Sequence, residues 1–425
     1  MKKILLPVLL CCSVTAFAQT PEQWKSISTE IDPAARTAID EIVRRIGDKR
    51  VVAIGEETHG TGDYYKFRHA LTRKLIEEKG FTVFVLENPH EDMASLQAGF
   101  GKIPLDTLMR RHLFEIYQSA EMKEFLQWLQ ASPQGKKMKL AGCDDSFREV
   151  TPNLLQERLS KYNNALLNEL LADYALRGSM RAAQYYALPG KQRVVNSGKY
   201  NGAYDYFAET YGVVDRVDSI YRTLPEKDEL AEDLLFHARS TFAMAPAALR
   251  DVYMSRDSLM AARINHYAKR TGAKVIVWAH NAHVAKKPVI DDIGRMGQEL
   301  QIAHAGQFIN IGLNSGDGST YSYIKVRNIN ADHNFRDPIF QKELLPLKAD
   351  SWNAAMQAYA KKSVLFDFNR AKPADKSAFE TPKPYRFVGY GIEKSEDDSY
   401  FKSAPALLYD LVVFIPVTQH TKPIF

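Results

Sequence analysis

The feature that most constrains the fold is a short β-branched run at residues 50–54 that ends at Gly55. A buried apolar run of this length is typical of a strand in a parallel sheet. Helical spacing of apolar residues follows over residues 64–79 and stops at Gly80, and a second apolar run covers residues 81–86. A strand, a helix and a strand in this order predict a parallel sheet with helices packed on its faces.

Further runs of strand character lie on both sides of a long helical region. We predict additional strands at residues 138–143, 274–278, 308–311, 321–326 and 411–415. Between residues 152 and 271 the sequence has long helix-like stretches and no convincing buried strand. We therefore predict an α/β protein with a mainly parallel central sheet flanked by helices. The two halves of this core would be residues 19–151 and 272–425, and the helical insertion at 152–271 would form a wall or lid over the active site.

The first residues have the pattern of an export signal rather than of a folded element. Lys2 and Lys3 precede an uncharged apolar stretch at residues 4–18, and a small-x-small pattern ends at Ala18. The apolar stretch is too short to span a bilayer comfortably. We predict a signal peptide at residues 1–18, cleavage after Ala18, and an exported protein that is periplasmic or secreted.

The charge of the chain is small and evenly scattered. The formal net charge is +5, and removing Lys2 and Lys3 with the predicted signal leaves +3. We therefore predict no nucleic-acid partner, and no membrane attachment after signal cleavage. Cys11 and Cys12 lie in the predicted signal and leave Cys143 alone, so the mature protein would have no internal disulfide. A hydrophobic content of 45% instead favours an ordinary buried core.

Carboxylate and histidine side chains follow three of the predicted strands at their carboxyl ends. They are Glu56, Glu57 and His59 after the first strand, Glu87 after the second, and His280 and His283 after residues 274–278. Asp144 and Asp145 follow another strand and are weaker candidates. Ligands of open α/β sheets bind outside the carboxyl ends of the strands. We therefore expect these side chains to converge on one pocket, where a carboxylate orients a histidine for general acid–base chemistry.

Two arginines outside these strand ends are also candidate site residues. Arg68 lies early in the helix after the first strand, and it is either a solvated helix residue or an anion clamp for a developing oxyanion. The residue types alone leave these two roles open. Arg256, in the helical insertion, is followed by Asp257, and the two are most simply an exposed charged pair.

The spacing of His280 and His283 also allows a metal site. Two imidazoles with Glu56 or Glu87 could hold Zn²⁺. However, the histidine pair directly follows a strand, and the sequence contains no His-Glu-x-x-His helix that would fix the ligands. We therefore favour chemistry without a metal or another cofactor.

Several common catalytic motifs are missing from the sequence. It contains no Gly-x-Ser-x-Gly nucleophile elbow, no Gly-x-x-x-x-Gly-Lys phosphate loop and no Gly-x-Gly-x-x-Gly dinucleotide turn. Cys143 is predicted to be a small buried residue at a strand end rather than a nucleophile. Activation of a water molecule by histidine and carboxylates is then the simplest chemistry.

Taken together, these segments resemble the erythromycin esterase family. The similarity is carried by the turn at residues 54–60, by Glu87 at the end of its strand, and by the Val-Trp-Ala-His-Asn-Ala-His stretch at residues 277–283. Residues 256–261 and the closing strand at 410–416 resemble further family segments. The similarity thus covers most of the predicted mature chain.

The resemblance implies a hydrolase that opens a macrolide lactone or a related ester and could inactivate an antibiotic. In such enzymes a histidine deprotonates the attacking water, and by position this base is His59, with Glu56 beside it. Other residues at family positions would line the pocket, orient the water and stabilise the tetrahedral intermediate: Glu87, His280, His283 and Arg68. Glu57 and Arg256 are the candidate substrate-binding residues. The expected partner is a small-molecule ester or lactone, and no covalent intermediate is expected.

Two other functions are kept open. One is a metal-dependent hydrolase in which His280 and His283 are ligands. The other is an exported, non-catalytic protein that binds a carbohydrate or another ligand with the same fold, although a pure binder has no need of an acid–base group. No feature of the sequence indicates an oligomeric state.

Overall fold

A computed structural model describes residues 21–144, 150–187, 201–242, 255–270, 272–290, 294–323, 339–389 and 399–424. The predicted signal peptide, Asp145 and the last part of the predicted strand at 321–326 lie outside the described residues. Over the described ranges, no helix combines the length and the apolar character that a membrane span requires.

The core of the molecule is one large β-sheet. Its strands are β1 (Ser28–Glu30), β2 (Val51–Ile54), β3 (Val83–Pro89), β4 (Lys139–Asp144), β5 (Val275–Trp278), β6 (Phe308–Tyr323), β7 (Ile339–Glu343), β8 (Val364–Asp367) and β11 (Leu411–Thr418). Two further strands, β9 (Lys383–Arg386) and β10 (Tyr400–Ser403), pair antiparallel with each other outside this sheet.

Within the described residues the sheet has nine strands in the order β4–β3–β5–β2–β6–β11–β8–β1, and β7 also pairs with β6. Strands β4, β3, β5, β2, β6 and β11 run parallel to their neighbours in this series. Strands β8, β1 and β7 pair antiparallel at one edge and at the end of β6. The predicted α/β fold with a mainly parallel sheet is confirmed.

The helices that flank the sheet in the first part of the chain are α1 (Pro21–Ile27), α2 (Arg36–Ile46), α3 (Gly62–Lys79), α4 (His90–Ala98), α5 (Leu105–His112) and α6 (Ala120–Ala131). The later helices are α11 (Arg256–Ala268), α12 (Asn281–Val284), α13 (Arg295–Ala303), α14 (Trp352–Tyr359), α15 (Pro373–Ser377) and α16 (Pro405–Leu408). Helix α3 ends where the sequence predicts, because Gly80 adopts a left-handed φ of 69° and its N–H bonds back to Leu75.

The sheet separates two hydrophobic cores because side chains of a strand alternate between its faces. Val52 and Ile54 of β2 belong to the core that includes Leu71 of α3. Val51 and Ala53 belong to the other core, which includes Met260 of α11. Both faces of the parallel strands are therefore buried, which explains why these strands are continuously apolar rather than alternating in sequence.

The described part of residues 152–271 is helical. Its helices are α7 (Val150–Leu159), α8 (Ala165–Ala187), α9 (Asn201–Thr223), α10 (Glu229–Phe242) and α11. The first four share a third hydrophobic cluster that includes Leu155, Leu171, Val214 and Leu234. Helix α11 instead packs in one of the sheet cores, so it connects this region to the sheet. The exact boundaries of a helical insertion and its role as a lid stay predictions.

Two features of the strands differ from the sequence-based expectation. The predicted strand at 308–311 and the described part of the predicted strand at 321–326, residues 321–323, are the two ends of one 16-residue strand, β6. Gly312, Gly316 and Gly318 interrupt the apolar pattern between these ends and concealed the continuity. The short or weakly apolar strands β1, β7, β8, β9 and β10 were not predicted.

Candidate active site

The candidate site forms where the carboxyl ends of three neighbouring parallel strands meet. Strand β5 lies between β2 and β3 in the sheet. The turn after β2 carries Glu56 and His59, and the end of β3 carries Glu87. After β5, His280 caps the short helix α12 and His283 lies in that helix. The His59 and His280 rings lie 5.2 Å apart between centroids, and the His280 and His283 rings 6.3 Å apart. The structure thus brings together the side chains of all three strand ends.

His59 is held by Glu56 through one ring nitrogen. The distance from His59 Nδ1 to Glu56 Oε1 is 2.7 Å. The other carboxylate oxygen, Oε2, lies 2.9 Å from Nη1 of Arg68. Within the described part of the chain no hydrogen bond to His59 Nε2 forms, and 6% of the residue is exposed. The Nε2 atom is therefore free to bind a proton or a substrate group.

Arg68 is fully buried and fixes the ends of two strands. Its side chain donates to the carbonyl oxygens of Ile54 and Gly55 after β2 (3.0 and 3.2 Å) and of Ala279 after β5 (2.6 Å). The guanidinium carbon lies 5.4 Å from the centroid of the Trp278 ring. Arg68 has no exposed surface. The structure places it behind Glu56, where it is neither the solvated helix residue nor the clamp on a substrate oxyanion, the two roles that the residue types left open.

Glu57 points away from the histidines into a separate buried polar group. Its Oε1 atom accepts hydrogen bonds from Arg386 Nε (2.6 Å) and Asn353 Nδ2 (2.8 Å). Its Oε2 atom accepts from the backbone N–H of Ser315 (2.7 Å) and from the Tyr64 hydroxyl (3.0 Å). Glu57 has no exposed surface, so its carboxylate does not reach a bound substrate in this structure.

His280 has both ring nitrogens engaged by the backbone. Nδ1 accepts from the N–H of Ala282 (3.3 Å), and Nε2 lies 2.8 Å from the carbonyl oxygen of Glu57. Nε2 also lies 3.1 Å from the nitrogen of Gly389, but it cannot donate and accept at once. The acceptor role of Nδ1 places the proton on Nε2, which then donates to Glu57.

The His280 ring is neutral. Burial, together with the neighbouring His59 and His283, lowers its pKa from 6.5 to about 3. A neutral ring with both nitrogens occupied by the backbone is suited to holding the loop in place rather than to moving protons.

His283 lies between two carboxylates. Its Nδ1 is 2.7 Å from Asp257 Oδ1, and its Nε2 is 3.2 Å from Glu87 Oε1. Burial alone would lower the pKa of His283, but Glu87 and Asp257 outweigh it and raise the pKa to about 10. The positive charges nearby also affect Glu87. Burial would raise the pKa of its carboxyl, but His283 and Arg256 hold this pKa well below the usual value.

Asp257 is a site residue that the sequence reasoning missed. We expected Arg256 and Asp257 to form an exposed pair, and for Asp257 this is wrong, because only 2% of the residue is exposed. Its Oδ2 atom accepts from the backbone N–H of Gly294 at 2.7 Å. Asp257 lies in the first turn of α11, which brings it next to His283. The two residues are 26 positions apart, and no pattern in the sequence near either one indicates the contact.

Arg256 lies at the rim of the site. Its side chain is 44% exposed, and its Nη2 atom is 3.1 Å from Glu87 Oε1. Nε and Nη2 also form a two-point contact with the carboxylate of Asp144, at 2.7 and 2.6 Å. Asp144, a weaker candidate in the sequence, therefore reaches the site through Arg256.

Cys143 is not placed to act as a nucleophile. The side chain is fully buried, and its sulfur lies 3.5 Å from the carbonyl oxygen of Leu86. Burial, followed by the charges of Asp144 and Glu87, raises the pKa of the thiol well above its usual value. A thiol that stays protonated is a poor nucleophile.

The same residues do not form a metal-binding group in the described part of the chain. Among the residues that the structure describes, no group of three or more histidine, cysteine, aspartate or glutamate side chains is arranged to hold a metal ion. The donor atoms explain this for the two histidines that the sequence suggested as ligands. Both nitrogens of His280 face backbone groups. Nδ1 of His283 faces Asp257, and its Nε2 faces Glu87 and Arg256.

The fold and these contacts define an α/β protein with a histidine–carboxylate site at the carboxyl ends of its parallel strands. A family model described as erythromycin esterase matches residues 76–418. The chain therefore belongs to the erythromycin esterase family, as its motifs indicated. The matched range begins after the turn that carries Glu56 and His59. The assignment of these two residues to the site therefore rests on the sequence motif and on the structure.

Relatives with known names or structures agree with this family. Erythromycin esterase type II of Escherichia coli is 26% identical over 327 residues, which cover 70% of this chain and 75% of that protein. A crystal structure of a protein named for succinoglycan biosynthesis has a TM-score of 0.72 at 19% identity, covering 95% and 97% of the two chains. A mutant of the erythromycin esterase EreC in its open conformation has a TM-score of 0.68 at 13% identity, covering 94% and 99%. The family and the name of the Escherichia coli relative indicate a hydrolase of the esterase type, whereas the two structures show a shared fold.

Proposed function

We propose that this protein hydrolyses a carboxylic ester or lactone with His59 as the general base and without a covalent intermediate. The proposal rests on the different surroundings of the two ring nitrogens of His59. Glu56 holds Nδ1 at 2.7 Å, which places the lone pair on Nε2, and among the described residues Nε2 has no hydrogen-bond partner. A neutral imidazole in this tautomer can accept a proton from water.

The reaction follows from this arrangement. Nε2 of His59 takes a proton from a water molecule while the water oxygen forms a bond to the ester carbonyl carbon. The tetrahedral intermediate then collapses, the bond from carbon to the alcohol oxygen breaks, and His59 returns the proton to that oxygen. The products are a carboxylic acid and an alcohol, which remain in one molecule when the substrate is a lactone.

Glu56 and Arg68 prepare His59 for this step. The Glu56 carboxylate fixes the ring and stabilises the imidazolium that forms when His59 takes the proton. Arg68 fixes Glu56 from behind at 2.9 Å and is itself held by three backbone carbonyls. We assign Arg68 a positioning role because it is fully buried, and we assign Glu57 a structural role for the same reason.

The substrate class is supported by the family rather than by the geometry. The name of the Escherichia coli relative refers to erythromycin, a macrolide lactone. We propose that the substrate is a small-molecule lactone or ester, with macrolides and their inactivation as the first candidates to test. Arg256 is the proposed substrate-binding residue, since it is partly exposed at the rim of the site.

We propose that the reaction needs no metal. The donor set supports this, because the ring nitrogens of His280 and His283 already have partners and Glu56 is paired with Arg68. The alternative, a metal-dependent hydrolase, makes the opposite prediction for treatment with a chelator. Activity that disappears with a chelator and returns with Zn²⁺ would favour the alternative.

The deciding experiment is a mass-spectrometric screen of macrolides, other lactones and simple esters for the gain of one water. We expect turnover by the wild type and a loss of kcat of about 10²–10⁴-fold in His59→Ala, the usual contribution of a general base. His304→Ala is the matched control, because His304 is a half-buried histidine that bonds Asn265 outside the site. Full activity of His59→Ala contradicts the mechanism, and tight ligand binding without turnover by the wild type favours a non-catalytic binding protein.

A further inference from the structure

We propose that Asp257 is a positioning residue that keeps His283 as an imidazolium cation, so that His283 supplies the site with a fixed positive charge instead of a second base. This inference rests on the proposed function for its catalytic meaning, but not for its structural content. The three histidines of the site then have different roles. His59 is the general base of the proposed reaction, His280 is neutral and structural, and His283 is a permanent cation.

The contacts of the His283 ring carry the argument. Nδ1 lies 2.7 Å from a carboxylate oxygen of Asp257, and Nε2 lies 3.2 Å both from a carboxylate oxygen of Glu87 and from Nη1 of Arg256. An ionised carboxylate only accepts hydrogen bonds, so Nδ1 carries a hydrogen for Asp257. Three buried carboxylates, Asp257, Glu87 and Asp144, surround one guanidinium, and this excess of negative charge favours a second hydrogen on Nε2, directed at Glu87. A neutral imidazole has one such hydrogen, whereas the imidazolium has two. The raised pKa of His283 agrees with this geometry.

Burial strengthens the arrangement. His283, Asp257 and Glu87 are 5%, 2% and 6% exposed. Water and salt screen interactions between such groups poorly, so each carboxylate attracts the cation more strongly than it would at the surface. This attraction opposes the loss of hydration that burial imposes on the charged ring. Arg256 adds a second positive charge next to Glu87, and Asp144 balances that charge. The groups that face His283 are thus Asp257, Glu87, Arg256, His280 and, through His280, His59.

Asp257 is held rigidly in the orientation that this role requires. Ser255 caps the amino end of α11, and Asp257 lies in the first turn of that helix. Its Oδ2 atom accepts from the backbone N–H groups of Gly294 (2.7 Å) and Met296 (3.3 Å) at the start of α13. With Oδ2 fixed by two backbone donors, Oδ1 is directed at His283.

The charge on His283 reaches the rest of the site through Glu87. Glu87 Oε1 faces His283, and Oε2 accepts the backbone N–H of His280 at 2.7 Å. The cation therefore keeps Glu87 ionised, and Glu87 in turn holds the loop that carries His280 beside His59. The positive charge also favours the negative oxygen that develops in the tetrahedral intermediate.

The test uses Asp257→Asn, because the asparagine oxygen can keep the bonds to Gly294 and Met296. Its NH₂ group then faces Nδ1 of His283, which must become an acceptor, and the ring becomes neutral. In histidine-labelled wild type we expect NMR to show both ring nitrogens of His283 protonated at neutral pH. In Asp257→Asn we expect the pKa of His283 to fall towards the ordinary value of 6.5. His283→Gln identifies the resonance by its loss.

The pH dependence of kcat provides a second test, because a merely structural role of Asp257 would not change it. Wild type should lose no activity from deprotonation of His283 around neutral pH. In Asp257→Asn, His283 deprotonates as the pH rises, so kcat should acquire a descending limb near neutral pH and recover towards the wild-type value at lower pH. Asp92→Asn is the matched control, since Asp92 is likewise a buried aspartate that contacts a histidine, His112, at 3.0 Å.

The outcomes separate this inference from the proposed function. A wild-type His283 that carries a single N–H at neutral pH overturns the inference, as does an unchanged His283 titration in Asp257→Asn. Because NMR needs no substrate, these results do not depend on turnover. Two protonated nitrogens in a protein that hydrolyses no ester would support the inference while contradicting the proposed function.

Discussion

Two adjacent glutamates show how strongly the environment of a residue determines its role. Glu56 and Glu57 are neighbours in sequence, and both are fully buried. Glu56 connects His59 to Arg68, whereas Glu57 pairs with Arg386, which lies 329 residues away. Nothing in the sequence next to them distinguishes these carboxylates, and only the folded chain assigns one to the proton-transfer group and the other to a structural ion pair.

The two glutamates therefore predict different mutant phenotypes. Glu56→Gln removes the charge that stabilises protonated His59, so we expect kcat to fall by about 10²–10⁴-fold in protein that is still folded. Glu57→Gln leaves Arg386 as an uncompensated buried charge, and we expect a loss of about 3–5 kcal/mol of stability with little change in the kcat of the folded fraction. Circular dichroism, urea unfolding and kcat measured on both variants test the contrast. A larger loss of kcat in Glu57→Gln than in Glu56→Gln would contradict these assignments.

At the scale of elements, the turn after β2 is held close to β6 by its glycine. Gly60 has a φ of 78°, and a Cβ atom built on it would overlap the carbonyl oxygen of Tyr321. The backbone carbonyl of His59, next to it, accepts a hydrogen bond from the Thr320 hydroxyl at 2.5 Å. The position of His59 thus depends on the close approach of this turn to β6.

Gly60→Ala should be costly for both stability and activity. Strain from the left-handed backbone costs about 1–2 kcal/mol, and the overlap with Tyr321 adds to it and displaces His59. Gly80→Ala is the matched control, because Gly80 has a similar φ of 69° but open space around its Cβ position. We expect urea unfolding to show only the backbone strain in Gly80→Ala, with normal kcat. Equal stability losses in the two variants would mean that the contact with Tyr321 is unimportant.

An element could be predicted when its own residues show a clear pattern, and not when it depends on distant partners. The parallel strands β2, β3 and β5 are buried on both faces, so they are continuously apolar and were found from the sequence. Strand β1 has three residues and an intermediate-to-exposed pattern, so it depends on its pairing with β8 rather than on its own composition. The strand-end clusters could be predicted for the same reason as the strands, whereas the burial of Asp257 depends on how α11 packs.

At the scale of the whole molecule, the proposed export of the protein can be tested directly. The first residues combine Lys2 and Lys3, an uncharged apolar stretch and a small-x-small pattern ending at Ala18. We expect a bacterial host that expresses the full chain to release a protein whose amino terminus is Gln19, as intact mass and terminal sequencing would show. Substituting Ala18→Asp should block cleavage and leave the uncleaved chain in the cells. Recovery of wild-type protein that retains residues 1–18 would contradict the proposal.

The order of the strands in the sheet also has a consequence for synthesis. Strand β1 near the start of the chain pairs with β8, and Arg45 of α2 bonds Asp367 at the end of β8 at 2.6 Å. The ribosome synthesises β8 only after most of the polypeptide, so β1 and α2 cannot pair with β8 until late in translation. Contacts of such long sequence separation also slow folding. We infer that this edge of the nascent chain stays open until late in translation, a state that suits the proposed export.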